Sequence, residues 1–167
     1  MSNVESNEKI ISALFSVATS QGGFFSRSRE CILCLTNKRL AVIYNTEMKP
    51  TKWQRAVEEQ KNAFKKGNID TIRSVYYTIE DLNTDLDSDA NLNIPLSNII
   101  DAKIEEKRWA PELKIIFKEV KKHTRSLNFA LVRSWIRYPL PDPIEYEKPN
   151  WKPFIDAINS HRNTNLL

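Results

Sequence analysis

The sequence predicts an α+β, mainly β domain: an antiparallel roll or barrel of about seven strands closed by a C-terminal helix. Three observations favour this fold. Short apolar segments, alternating or continuous, recur along most of the chain, and such segments are typical of strands. Very short polar breaks separate some of them, so the strands they join have to be antiparallel. The last segment, residues 150–163, instead carries apolar residues at helical spacing.

The first three strands are predicted over residues 10–17, 24–35 and 40–44. Gln21-Gly22-Gly23 is expected to form the first turn, because glycine tolerates the positive φ that hairpin turns require. Thr36-Asn37-Lys38-Arg39 is a polar break between two apolar segments. Asparagine and threonine side chains stabilise such turns by bonding the nearby backbone. Strands 2 and 3 are therefore expected to form a hairpin.

Residues 46–91 interrupt the β pattern and are predicted to form a helical hairpin inserted between strands 3 and 4. Thr51, with Gln54 three residues later, has the form of a capping box. Gly67-Asn68 is expected to end the first helix, and a second helix is expected over residues 69–82. The apolar stripe of the first helix consists of Trp53, Val57 and Phe64.

After the insertion, further strands are predicted over residues 94–96, 99–106, 113–117 and 126–131. The last two alternate regularly between apolar and polar residues. Residues 138–144 contain three prolines and are expected to form an extended loop, since proline removes a backbone donor and blocks helix. Asn150 can cap the final helix, whose apolar stripe is Trp151, Phe154, Ile155 and Ile158.

Length and composition limit the classes of function. A chain of 167 residues with 41% hydrophobic and 28% charged residues suits one globular domain and excludes wholesale disorder. The net charge of +4 permits an acidic partner. Only three glycines occur, so a glycine-rich phosphate-binding loop is not expected. No apolar segment approaches the ~18 residues that span a bilayer, and the polar first nine residues do not resemble a signal peptide. A cytoplasmic protein is expected.

Cys31 and Cys34 form a C-x-x-C in a segment with strand character. A zinc site would need a second ligand pair, and the two histidines, His123 and His161, lie far away in the sequence. Positions three apart in a strand face opposite sides of the sheet. Both cysteines are therefore predicted to be buried apolar side chains, with no metal bound.

In residues 85–91, Asp85, Asp87 and Asp89 have the spacing of the first ligands of a calcium loop. The glycine of the sixth position and the glutamate of the twelfth are replaced by Ala90 and Leu96. Residues 85–91 are predicted to form a solvated acidic linker that leaves the helical insertion. Neither histidine adjoins a nucleophile or a pair of carboxylates, as acyl or phosphoryl transfer would need. The chain is therefore predicted not to be an enzyme and to need no cofactor.

Three segments resemble the PH-like superfold, in particular GRAM and bacterial PH-like domains. Residues 34–43, CLTNKRLAVI, are similar to the family's L-T-N-x-R-L hairpin. Residues 94–104, IPLSNIIDAKI, are similar to its I-P-L-x-x-I segment, and the tryptophan-led helix 151–161 is similar to the helix that closes its barrel. The resemblance implies one PH-like domain over residues 1–167, with 46–91 as an insertion. It also implies lipid or protein binding without catalysis.

Seven basic residues are candidates for binding an anion. Lys38 and Arg39 lie at the predicted hairpin, where arginine offers a planar fork for phosphate; the structural alternative is that Arg39 pairs with a carboxylate and stabilises the turn. A second basic turn contains Lys121, Lys122 and Arg125. Together with Lys107 and Arg108 from the end of a preceding strand, it could form one patch that attracts an anionic membrane. Alternatively, the turn could simply keep a hairpin soluble.

Three aromatic residues are candidates for a partner surface. Trp135 and Tyr138 could anchor at a membrane interface or stack on single-stranded nucleic acid; alternatively they pack beneath the following proline-rich segment. Trp53 lies on the inserted helices, the predicted location of contact with a protein partner. The functions left open are a module for a protein partner, one for an anionic lipid surface with peripheral membrane contact, and a nucleic-acid-binding protein.

Overall fold

The structure, a computed structural model, describes residues 7–21, 27–67, 70–71, 76–119 and 123–165. The strands are β1 (Ile10–Ser20), β2 (Arg29–Thr36), β3 (Arg39–Ile43), β4 (Leu92–Pro95), β5 (Ile99–Glu106), β6 (Pro111–Lys118), β7 (Thr124–Ile136) and β8 (Asp142–Tyr146). The helices are α1 (Pro50–Lys65), α2 (Ile79–Leu86) and α3 (Lys152–Asn165), and a 3₁₀ helix, Leu96–Asn98, joins β4 to β5.

The strands form an antiparallel sheet. Its order is β4-β3-β2-β1-β7-β6-β5, and β8 pairs with β7. The expected hairpin between strands 2 and 3 is confirmed, because Leu35 pairs with Leu40 across a tight turn. The mainly β antiparallel fold with a C-terminal helix is also confirmed.

One core lies between the inner face of the sheet and α3. Alternate residues of each strand point inward, as the period of two requires. Trp151 is fully buried, and its indole N–H donates to the carbonyl oxygen of Pro111 at 3.0 Å. The residues of β2, of α3 and of the position just before α3 that share this core are Cys31, Leu33, Leu35, Trp151, Phe154 and Ile158.

A second core lies between the outer face of β1–β3 and the helices α1 and α2. Residues of β2 and β3 with the opposite parity point outward into it, and the helices contribute the rest; these residues include Ile32, Cys34, Ala41, Ile43, Ala56, Val57 and Leu82. Because both faces of β2 and β3 are buried, the sequence of these strands is continuously apolar rather than alternating. The predicted burial of the two cysteines on opposite faces of the sheet is confirmed, since Cys31 lies in the inner core and Cys34 in the outer one.

Gln60 joins α1 to an irregular point in β1. The pairing of β1 with β2 shifts register between Leu14 and Val17, and Ser16 there has a φ of 56°. The backbone N–H of Phe15 donates to Oε1 of Gln60 at 2.9 Å, and Nε2 of Gln60 donates to the carbonyl oxygen of Phe15 at 2.7 Å. The helix side chain therefore replaces ladder hydrogen bonds that the irregularity removes.

The helix boundaries differ from the sequence expectation. Lys49 is the N-cap of α1 and makes no side-chain cap, with Pro50 in the first turn, so the capping box expected at Thr51 is wrong. The capping box is instead made by Thr78 and Asp81 at the start of α2.

The second helix was expected too early in the sequence. It begins at Ile79 rather than at residue 69, and Tyr76, with a φ of 66°, is not helical. Ile69 and Ile72, on which that expectation partly depended, lie outside the described residues, as do Gly22 and Gly23 of the expected first turn. The predicted end of the first helix is confirmed, because Gly67 follows it with a φ of 85°.

Two further expectations hold only in part. In the proline-rich segment, residues 138–141 form a loop, but residues 142–144 belong to β8, which pairs with the end of β7 and places Pro143 opposite Trp135. An edge strand tolerates proline, since one side of it needs no donors. The acidic linker is not solvated throughout: Asp85 is only 2% exposed. Its carboxylate accepts hydrogen bonds from the Tyr77 hydroxyl at 2.5 Å, the Thr46 hydroxyl at 2.7 Å and a backbone N–H at 2.7 Å, which satisfy its buried oxygens.

Candidate anion-binding site

A polar cleft opens at the end of the sheet where β1 ends and β2 begins. Its volume is about 280 Å³, and we call it the arginine cleft. Three arginines from two distant segments of the chain line it, whereas no carboxylate of the described residues does. The lining residues are Thr19, Ser20, Gln21, Arg27, Arg29, Tyr44, Ala90, Leu92, Arg125 and Leu127.

Strand pairing and side-chain alternation bring these arginines together. Arg29 pairs with Thr19 on β1, and β1 in turn pairs with β7 near Leu127. Arg29 is two residues before the inward-facing Cys31, and Arg125 is two residues before the inward-facing Leu127. Both arginines therefore continue the inner face beyond the end of the apolar core.

The electrostatics of the cleft favour an anion. The Arg29 guanidinium carbon lies 3.9 Å from the centroid of the Tyr44 ring, a cation–π contact. Burial raises the pKa of Tyr44, and the cations Arg29 and Arg125 oppose that rise. Arg125 donates to the Glu119 carboxylate at 2.7 Å. Within the described ranges, Arg27 makes no ion pair, so it is available to a ligand.

The hairpin candidates lie at the opposite end of β2 from the arginine cleft. Arg39 Nε donates to a Glu8 carboxylate oxygen at 2.8 Å, and a second guanidinium nitrogen donates to the other oxygen at 3.0 Å. A further bond reaches Asn83 at 3.0 Å. Lys38 is exposed. Arg39 therefore pairs with a carboxylate, as the structural alternative supposed, and this carboxylate, Glu8, comes from the N-terminal segment.

Lys107 and Arg108 do not join Arg125 in one patch, so this expectation is wrong. They lie in the turn between β5 and β6, whereas Arg125 lies in β7, opposite Phe117 near the other end of β6. β6 has eight residues, and at about 3.4 Å per residue it separates the two turns by roughly 24 Å. Lys121 and Lys122 lie outside the described residues.

Lys107 also has a structural partner. Its ammonium lies 3.1 Å from the Glu105 carboxylate, which Lys114 also contacts at 3.1 Å. A hydrogen bond from Asn128, followed by those from the two lysines, lowers the pKa of Glu105 to about 2. Arg108 is exposed and makes no ion pair with any described residue.

The aromatic candidates differ in exposure. Trp135 is half-buried, and its indole N–H donates to the Ser16 hydroxyl at 2.8 Å. Tyr138 is 86% exposed. Trp53 is half-buried beside the outer core. The Arg137 guanidinium carbon lies 5.9 Å from the Trp53 ring centroid and 5.4 Å from that of Trp135, so it contacts both rings.

A larger cleft of about 640 Å³ lies on the outer side of β2 and β3, and we call it the outer cleft. Arg27, Arg29 and Tyr44 line both clefts. The remaining lining residues come from β2, β3, the start of α1 and the β7–β8 loop: Ser28, Glu30, Cys31, Ile32, Ile43, Thr46, Met48, Pro50, Trp53, Leu140 and Pro141.

The sequence analysis named Arg125 but missed Arg27, Arg29 and Tyr44. Residues 26–29 read Ser-Arg-Ser-Arg, and in an extended segment this alternation places both arginines on one face. That signal was present, but only strand pairing shows that the face leads toward Arg125.

Among the described residues, no group of three or more histidine, cysteine, aspartate or glutamate residues could hold a metal ion. No described helix has the length and apolarity needed to cross a membrane.

Comparison with known proteins gives limited similarity. No protein-family model matches the sequence, and no curated protein matches it. Among solved structures, the fold is similar to a chain described as the Vps36 N-terminal PH domain, with a TM-score of 0.48 and 14% sequence identity. The similarity covers 96% of this chain and 83% of that one. At this level it assigns neither a family nor a ligand.

Proposed function

We propose that this chain is a non-catalytic, PH-like binding module that recognises an anionic group in the arginine cleft. The observation that carries the proposal is the convergence of Arg27, Arg29 and Arg125 around a cleft to whose lining the described residues contribute no carboxylate. Arginine binds phosphate and carboxylate groups through paired hydrogen bonds that a single ammonium does not provide.

The cleft is suited to binding because part of it is held in place before a ligand arrives. Arg29 is stacked on Tyr44. Arg29 lies in β2 and pairs with Thr19 of β1, and the backbone N–H of Tyr44, just after β3, donates to Oδ1 of Asn91 at 2.7 Å. Fixed side chains lose little conformational entropy on binding, so more of the interaction energy is available for affinity.

The PH-like assignment is part of this proposal. It rests on the L-T-N-x-R-L hairpin at β2–β3 and on an antiparallel sheet whose inner face is closed by the tryptophan-led α3. We take residues 1–167 as one domain and residues 46–91 as a helical insertion that covers the outer face of the sheet. A cytoplasmic protein in peripheral contact with an anionic membrane fits this assignment.

An anionic lipid head group and a free phosphate share the chemistry that the cleft would recognise. Binding of single-stranded nucleic acid has less support, because the Trp135 indole already donates to Ser16 and the side chain is half-buried. A base-stacking platform needs an accessible aromatic face. We therefore retain the anion, presented on a membrane or free, as the proposed ligand.

The proposal is tested by co-sedimentation with phosphatidylcholine vesicles that contain or lack phosphatidylserine, and by calorimetric titration with inorganic phosphate. The double variant Arg27→Glu, Arg29→Glu is expected to weaken vesicle binding at least 30-fold, since each membrane-facing cation contributes about 1 kcal/mol. Added salt should weaken binding of the unaltered chain, because charges are screened over about 8 Å at physiological ionic strength.

The matched control is the double variant Lys38→Glu, Arg108→Glu, which makes the same change in net charge at exposed residues away from the cleft. It is expected to bind as the unaltered chain does. Equal losses in both double variants would show that only overall charge matters and would refute the site. Binding of phosphate without vesicles would assign the cleft to a free anion. A Lys121→Glu, Lys122→Glu variant tests the remaining basic turn.

A further inference from the structure

Exposed apolar side chains cluster on the hairpin between β7 and β8. Seven large apolar residues are exposed among those that the structure describes, and four of them lie within residues 136–144: Ile136, Tyr138, Leu140 and Ile144. Concentrated apolar exposure of this kind marks an interaction surface. Leu140 also lines the outer cleft, so the exposed hairpin and the cleft form one continuous surface.

We propose that the outer cleft is a docking site for a segment of a partner protein that carries a large apolar side chain next to acidic residues. The volume of about 640 Å³ lies within the range of roughly 300 to 1,000 Å³ for ligand sites. The apolar lining that would receive the side chain consists of Ile32, Ile43, Met48, Trp53, Leu140 and Pro141.

Two walls of the outer cleft are held in place by hydrogen bonds and by an ion pair. The segment between β3 and α1 is fixed by Asp85, which accepts hydrogen bonds from the Thr46 hydroxyl and the Glu47 backbone N–H. The β7–β8 loop is fixed to β2 by the ion pair of Arg137 with Glu30. A cleft that is already formed binds with a smaller entropic cost than one that has to be assembled.

The charge around the cleft selects an acidic partner. Among the described residues, Glu30 is the one carboxylate in the lining, and it is already paired with Arg137. Arg27 and Arg29 line the cleft, and Lys49 lies in sequence between the lining residues Met48 and Pro50. None of these three cations forms an ion pair in the part of the chain that is described. Complementary charge on the partner would steer and orient it.

A protein segment fits this surface better than a membrane does. Asp142 and Glu145 are exposed on the same hairpin, and an anionic bilayer that covered the hairpin would approach these two carboxylates. A peptide can leave them in water. The surface is also concave and includes arginine, tyrosine, tryptophan and methionine, the side chains enriched where proteins bind one another.

The test is a selection of phage-displayed random peptides on the full chain, followed by fluorescence anisotropy with the selected peptides. We expect enriched sequences to combine leucine or an aromatic residue with aspartate or glutamate. Leu140→Glu should weaken their binding at least tenfold, because it puts a like charge in the apolar wall. Ile100→Glu is the matched control, because Ile100 is 45% exposed and Leu140 is 49% exposed, but Ile100 does not line the cleft.

Three results would overturn this inference: no enriched peptide, enriched peptides without acidic residues, or equal binding by the Leu140→Glu variant and the unaltered chain. If no peptide is enriched, but the chain binds phosphatidylserine vesicles and Leu140→Glu weakens that binding, the surface is assigned to lipid instead. The inference shares Arg27 and Arg29 with the proposed anion site but stands apart from it. Leu140→Glu should leave phosphate binding unchanged. The two proposals can therefore fail separately: peptides can bind even if neither phosphate nor vesicles do.

Discussion

Gln60 offers a direct test of how α1 is attached to the sheet. Its side chain is 6% exposed and bonds both the N–H and the carbonyl oxygen of Phe15. Phe15 lies between the paired positions Leu14 and Val17, where the register of β1 shifts. Replacing Gln60 with methionine keeps the length of the side chain and removes both hydrogen bonds.

The expected loss of stability follows from those two backbone groups. A buried polar group left without a partner costs about 1–3 kcal/mol, and two such groups set an upper limit near 6 kcal/mol. The methionine side chain adds apolar burial that offsets part of this cost. We therefore expect Gln60→Met to lower the free energy of unfolding by about 2–4 kcal/mol, a large share of the roughly 5–15 kcal/mol that stabilises a domain.

Urea unfolding followed by tryptophan fluorescence measures this effect. With an m-value of about 2 kcal/mol/M, the midpoint should fall by roughly 1–2 M while m stays unchanged. Gln54→Met is the control, because Gln54 is an exposed glutamine of the same helix and its replacement should change stability by less than about 0.5 kcal/mol. Equal midpoints for the two variants would refute the assigned role of Gln60.

Three further outcomes are expected. Arg39→Met should cost about 1.5–3 kcal/mol, because it removes two hydrogen bonds between a guanidinium and the largely buried Glu8 carboxylate, whereas Lys38→Met should leave the urea midpoint unchanged; equal effects would contradict the pairing. Burial raises the pKa of both cysteine thiols to about 12, so Ellman's reagent should react at pH 8 only after unfolding, and fast reaction of the folded chain would show that they are accessible. The hydrogen bond from Asn128 and two lysine partners lower the pKa of Glu105 from 4.5 to about 2. This contribution to stability is present above about pH 4.5 and is lost as the pH falls toward 2. Between pH 4.5 and 2, the free energy of unfolding should therefore fall less steeply for Glu105→Gln than for the unaltered chain. Parallel curves for the two proteins would contradict the lowered pKa of Glu105.

The candidate site was only partly predictable from the sequence. Arg125 was named from its basic turn, and the Ser-Arg-Ser-Arg alternation contained the signal for Arg27 and Arg29. Nothing local to either segment says that they meet. Their proximity depends on the pairing of β1 with both β2 and β7, which is a property of the register between segments about 100 residues apart.

Buried polar residues were the least predictable feature of the fold. Asp85 belongs to an acidic, turn-rich segment that composition alone assigns to solvent, yet it is buried by Tyr77 and Thr46. Gln60 lies at the helical spacing of the apolar stripe, between Val57 and Phe64, but its polar amide does not suggest burial, and only the structure shows that this amide completes the backbone of β1. In each case the partner lies on another element, so a local pattern does not identify it.

The sequence by itself determined the antiparallel strands, the β2–β3 hairpin and the closing α3, because hydrophobic period and short connections are local properties of the chain. It also determined that β2 and β3 are apolar on both faces. Only the tertiary structure decided what covers their outer face, where the helices begin and which cations share a cleft. The physical reason is that side chains converge according to strand register and helix packing, and both are established between segments distant in sequence.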